Sequence, residues 1–141
     1  VEVFWLKGSG VRQQLVATTA TTTADIKKQP TAALKTAFDN LLSGPKDGSV
    51  STTIPQGTTL RDLKVEKDGI HVNLSEDFTA GGGSTAMTGR VAQVIYTATS
   101  LDPSAKVWIE VEGEPLEVLG GEGLELEQPL TRQSLGENFT L

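Results

Sequence analysis

His71 is the single histidine in 141 residues, and the chain has no cysteine. A nucleophilic triad built on His71 would need a serine held at a strained strand-to-helix turn, and no G-x-S-x-G is present. Structural zinc and iron–sulfur sites need several thiolate or imidazole ligands, so this composition removes them, together with thiolate catalysis. Glu110 and Glu112 are two residues apart in an alternating stretch, which sets both carboxylates on one strand face. A glycosidase uses such a pair when one carboxylate is desolvated, but it also needs a sugar cleft usually built by a larger scaffold. These two belong to an acidic run with Glu114, Glu117, Glu122, Glu125 and Glu127, and acidic outer faces are commonplace solvated surface. Gly81-Gly82-Gly83-Ser84-Thr85 leads into a helix and could offer backbone N–H groups to an anion, yet it lacks the Gly-Lys-Ser or Gly-Lys-Thr of a phosphate cradle. No catalytic, cofactor-binding or metal-binding residue is assigned.

Trp108 carries a different chemistry. Over residues 105–112 the alternation sets Val107, Ile109 and Val111 on one face and Trp108, Glu110 and Glu112 on the other. An indole on a polar face needs a cover. Either the short C-terminal strands or the tail, with Leu135 and Phe139, pack over it, or it anchors a protein or glycan partner. Phe4 shares this face in one strand register, and His71 lies on the outer face of its own strand. The candidate interaction surface is therefore Phe4, His71, Trp108, Glu110 and Glu112.

The elements that position these residues follow from composition and periodicity. A hydrophobic fraction of 37% and a charged fraction of 21% indicate a soluble globular domain, and the length suits one. The net charge of −6 repels a phosphate backbone, so no nucleic-acid partner is expected. No run of about 18 apolar residues exists, so the chain has no membrane span of its own. The chain opens inside an apparent strand without an initiator methionine, which suggests a longer natural N-terminus carrying any signal or anchor.

Residues 1–6 read as a strand, Lys7-Gly8-Ser9-Gly10 as a turn and residues 13–16 as a short returning strand. The threonine-rich stretch of residues 17–23 reads as a loop or irregular edge strand. Pro30 and Gly44-Pro45 bracket a helix whose stripe is Leu34, Ala37, Phe38, Leu41 and Leu42. A hairpin turns at Lys67-Asp68-Gly69, with Leu63 and Val65 before it and Ile70, Val72 and Leu74 after it. A second helix starts at Ser84 or Thr85 with the stripe Met87, Val91, Val94, Ile95 and Ala98. Residues 105–112 form the clearest strand, and residues 116–119 and 124–126 form short ones. The fold class is α+β, a mixed or antiparallel sheet with two helices packed on one face, in the order β(β)-α-β-β-α-β plus short C-terminal strands.

Five features in order resemble one family: Val1-Glu2-Val3-Phe4-Trp5, Leu41-Leu42-Ser43-Gly44-Pro45, Ile54-Pro55-Gln56-Gly57-Thr58, Val72-Asn73-Leu74-Ser75-Glu76-Asp77-Phe78, and Arg90-Val91-Ala92-Gln93-Val94-Ile95-Tyr96-Thr97. Their order and spacing resemble the GerM domain over residues 1–132, which leaves residues 133–141 as a tail. The resemblance implies a non-catalytic, extracytoplasmic bacterial domain, secreted or lipid-anchored, with the compact α+β fold of ring-building modules. It implies an envelope protein partner or self-association in septal, sporulation-like or wall-remodelling processes. The alternative is a peptidoglycan- or glycan-binding module that recruits or regulates a cell-wall hydrolase, with Trp108 as the stacking platform. A membrane is reached only through an anchor outside this sequence. The threonine-rich loop and Gly81-Gly82-Gly83 depart from the family pattern, and no family site residue is carried over.

Overall fold

The computed structural model describes residues 2–9, 12–19, 28–45, 48, 50–80, 84–116, 118–119, 124–125 and 128–132. Helix α1 spans Pro30–Ser43, with proline where a missing N–H costs nothing. It stops at Gly44, whose φ of +91° suits glycine and whose N–H bonds the Leu41 carbonyl at 3.3 Å. Ala33, Leu34, Ala37, Phe38 and Leu41 are buried and Lys35 and Asp39 exposed, so the helix has the phase that its periodicity predicts.

Strands β1 (Glu2–Ser9) and β2 (Arg12–Thr19) form one antiparallel hairpin. The strands pair out to Ser9 and Arg12, so Lys7, Gly8 and Ser9 continue β1 instead of turning. Thr18 and Thr19 likewise belong to β2, because β-branched residues suit the pleat and Thr18 has work there. Its hydroxyl accepts the Trp5 indole N–H at 2.9 Å and donates to the Val3 carbonyl at 3.4 Å. The rest of the threonine-rich stretch, residues 20–23, lies outside the described residues.

β3 (Leu60–Glu66) and β4 (Gly69–Leu74) form the second hairpin, with Glu66 opposite Gly69. A 3-10 turn (Glu76–Thr79) buries Phe78, and helix α2 (Ser84–Ala98) then carries the chain across to β5 (Val107–Val111). β5 pairs parallel with β4, and a parallel neighbour requires a crossover of this kind. β6 (Glu114–Pro115) pairs antiparallel with β5, which completes a mixed sheet in the order β3-β4-β5-β6. The inner face of this sheet presents Leu63, Ile70, Val72, Leu74, Val107 and Ile109 to the stripes of both helices, the α+β arrangement that the sequence predicts.

The strands do not all share one sheet, and α2 explains why. Val91, Ala92, Gln93, Val94, Ile95, Thr97 and Ala98 are all buried, so this helix is covered on more than its predicted stripe. Its side chains serve as the missing strand beside β1. Thr97 accepts the Phe4 N–H at 3.2 Å, and the Gln93 amide donates to the Phe4 carbonyl at 3.2 Å. Leu6 exchanges both of its backbone bonds with Ser51, at 2.8 and 2.7 Å. The side chain of Met87 lies outside the described residues.

β5 is shorter than its alternation suggests, because Glu112 leaves it at a φ of +51° and Gly113 follows at +84°, a tight turn into β6. Beyond it, β7 (Val118–Leu119) pairs with β8 (Leu124–Glu125). The chain then returns to the edge of β5, where Leu130 and Val107 exchange two 2.8 Å bonds. Gln128 extends this edge with its side chain. Its Oε1 accepts the Ile109 N–H at 2.7 Å, and its Nε2 donates to the carbonyls of Ile109 at 2.8 Å and Leu116 at 2.6 Å. Gln128→Glu removes the donor and turns a carboxylate oxygen toward two carbonyls, so a loss of about 2 kcal/mol is expected. Urea denaturation of the isosteric variant measures it, and an unchanged midpoint would mean that the amide does not hold this edge.

Candidate functional site

The outer face of the mixed sheet carries three of the residues singled out above, His71, Trp108 and Glu110. Register sets Lys64, His71 and Trp108 in one row across β3, β4 and β5, and Asp62, Asn73 and Glu110 in the next. The Trp108 indole stacks on the His71 imidazole with ring centroids 4.8 Å apart and planes within 4°. The imidazole Nε2 lies 2.9 Å from the Asp68 carboxylate, which holds the ring upright against its neighbour. Trp108 is half-buried because it leans over Gly69: a Cβ there would sit 2.9 Å from the indole Cζ3 and 2.3 Å from the Lys106 carbonyl oxygen. Only glycine lets β4 and β5 approach this closely at a φ of +143°.

Two concavities flank the stacked pair. An open polar depression of about 800 Å³ includes Asp62, Lys64, His71, Asn73 and Glu110 in its lining. At the hairpin end, a groove of about 600 Å³ runs among Leu34, Val65, Ile70, Leu101, Trp108 and Pro129. Val65, predicted to share the buried face of Leu63, is instead 38% exposed, because it stands beside the turn that closes the hairpin, one pair before Glu66 and Gly69.

His71, Trp108 and Glu110 thus come together. Phe4 and Glu112 do not join them. Phe4 is buried in β1, with the Tyr96 ring 5.3 Å away and the Arg132 guanidinium 5.3 Å from its own ring. A strand whose two edges are bonded to β2 and to α2 cannot also share the outer face of another sheet. Glu112 sits in the β5–β6 turn, where its carboxylate accepts the Glu76 N–H at 2.9 Å and pairs with Arg61 at 3.3 Å. It ties the 3-10 turn to the sheet, apart from Glu110. Among the described residues, no group of three or more His, Cys, Asp or Glu is placed to hold a metal ion. Leu135 and Phe139, the proposed cover of Trp108, lie outside the described residues, as does the anion-loop candidate at residues 81–83.

Sequence reasoning missed the polar side chains that hold the layers together. Besides its bonds to Phe4 and Thr52, buried Gln93 accepts the Thr53 N–H at 3.0 Å. Buried Arg90 donates to the carbonyls of Phe78 and Ala80, at 2.8 and 2.9 Å. Arg132 donates to the Thr99 hydroxyl at 2.8 Å and the Tyr96 carbonyl at 3.1 Å, capping the end of α2. Burial draws the pKa of both guanidinium groups below its usual value. The one signal in the sequence was position: Arg90 is the single charged residue of α2, and it and Gln93 flank Val91, Val94 and Ile95 of the apolar stripe.

Comparison with known proteins agrees with this architecture. The first GerMN domain of the Bacillus subtilis sporulation protein GerM superposes with a TM-score of 0.70 at 21% identity, over 94% of this chain and 98% of that one. The tandem GerMN domains of the same protein also give 0.70 at 21% identity, and this chain spans 46% of that tandem. A Clostridium perfringens protein described as a lipoprotein gives 0.65 at 19% identity, over all of this chain and 91% of the other. No curated protein matches the chain by sequence. The Germane family, described by its role in sporulation and spore germination, matches residues 2–117. The chain belongs to this GerM-like family.

Proposed function

We propose that this domain is a non-catalytic module of the bacterial cell envelope that binds a protein partner through the outer face of its mixed sheet. Septal, sporulation-like or wall-remodelling assembly is its setting. The family and the solved GerM domains support the setting, and the lipoprotein of C. perfringens supports an extracytoplasmic place reached through an anchor outside this sequence. The observation that carries the proposal is the Trp108–His71 pair, a half-buried aromatic stack between a polar depression and an apolar groove. Protein interfaces enrich this combination, an aromatic anchor within a charged rim. A glycan platform is less well supported, because the imidazole already occupies one face of the indole that a sugar ring would use.

The test is affinity capture from envelope extract with the wild-type domain and Trp108→Ala. The expected result is a specific protein that the variant binds about 30-fold more weakly, the equivalent of about 2 kcal/mol at a central aromatic anchor. The substitution itself is expected to cost only about 1–2 kcal/mol of folding stability, since the indole is half-buried. Sedimentation of the domain with purified sacculi, lost in the same variant, would instead support the peptidoglycan reading.

A further inference from the structure

We propose that the outer edge of β2 is a self-association surface, on which a second copy of this chain adds its own β2 in antiparallel fashion. The two hairpins then become one four-stranded sheet across a two-fold axis. This deepens the assembly reading above and rests on it, but it uses a surface separate from Trp108.

Three strand edges can be compared within this one molecule. The far edge of β1 is closed, since Phe4 bonds Thr97 and Gln93 while Leu6 bonds Ser51. The outer edge of β3 is blunted by an irregularity at Arg61, by charged Asp62, Lys64 and Glu66, and by the Asp62 carboxylate, which takes the Leu63 N–H at 2.9 Å. Among the described residues, the outer edge of β2 has no such device.

The direction of its backbone groups follows from β1. In an antiparallel ladder, successive residues bond alternately to one side and the other. Phe4 and Leu6 bond away from β2, so their partners Ala17 and Leu15 turn their own N–H and C=O groups away from β1. Gln13 and Thr19 have the same parity. Among the described residues, no backbone hydrogen bond reaches any of these four from the outer side. The strand contains neither proline nor glycine, and Arg12 at its start is its one charge. A long edge of this composition recruits another strand.

Self-complementarity selects a second copy as that strand, because two identical edges related by a two-fold axis match without any further adaptation. The register that uses every outward group sets Leu15 against the partner subunit's Ala17 and Gln13 against the partner subunit's Thr19. About eight backbone hydrogen bonds then form, and half-buried Val16 meets its own copy on the axis.

Sedimentation equilibrium of the full 141-residue chain tests this. The expected result is a mass that rises from 14.9 kDa toward twice that value across the micromolar range. Ala17→Pro removes one outward N–H and no bond to β1, so it is expected to leave the fold intact and raise the dimer dissociation constant at least about tenfold. Val16→Lys and Val16→Glu should each be monomeric alone and should dimerise when mixed in equal amounts. Amide exchange of the wild-type chain reads the same contact without any variant: Leu15 and Ala17 should become protected as concentration rises. A chain that stays monomeric, a dimer indifferent to these substitutions, or Leu15 and Ala17 exchange independent of concentration would overturn the proposal. Trp108→Ala should leave the dimer unchanged, so loss of partner capture and loss of self-association are separate failures.

Discussion

Gly69→Ala is expected to destabilise the domain by about 3–5 kcal/mol, more than the same replacement at Gly44, Gly48, Gly57 or Gly113. Two costs combine at this position. An alanine at a φ of +143° is strained whatever its surroundings, and its Cβ would lie 2.3 Å from the Lys106 carbonyl oxygen. That oxygen accepts the Ile70 N–H at 2.8 Å, so relieving the overlap means parting β4 from β5 where the sheet is parallel. Gly113→Ala separates the two costs, because Gly113 has a φ of +84° with nothing within 4 Å of a built Cβ. Only the backbone strain of about 1–2 kcal/mol should appear there. Guanidinium denaturation of both variants measures the difference, and equal losses would mean that β4 and β5 separate at little cost.

Phe38→Ala should be comparably severe, at about 3–5 kcal/mol, because the ring is fully buried between α1 and the sheet and its removal leaves a cavity that rigid neighbours cannot fill. Lys35, three residues earlier and exposed, should change stability by less than about 0.5 kcal/mol when replaced by alanine. Paired denaturant melts check both. Similar losses from the two substitutions would contradict the helix phase.

Local periodicity made the helices, the second hairpin and β5 legible, since each has an apolar repeat that only one secondary structure can bury. The same alternation placed Trp108 and His71 on the outer face of the sheet. What it could not supply was register. Only the parallel pairing of β4 with β5 sets His71 beside Trp108, and that pairing depends on a crossover through α2. Register also separated Phe4 from the proposed surface, because β1 bonds to α2 instead of joining the mixed sheet. The departure of Glu112 from β5 was hidden for a related reason. A glutamate rarely adopts a positive φ, and here the Glu76 N–H and Arg61 hold its carboxylate after the turn. Gln93, Gln128 and Arg132 act on partners far along the chain, which no local pattern reveals.

The accessibility of Trp108 bears most directly on whether the outer sheet face is a docking surface. It can be read from indole fluorescence in a Trp5→Phe background, which removes the other tryptophan. Iodide should quench Trp108, and His71→Ala should increase that quenching, since it uncovers the indole face now stacked at 4.8 Å. Blue-shifted emission that iodide does not quench, and that His71→Ala leaves unchanged, would show that the chain itself covers Trp108 and would contradict a docking role for this face in the free domain.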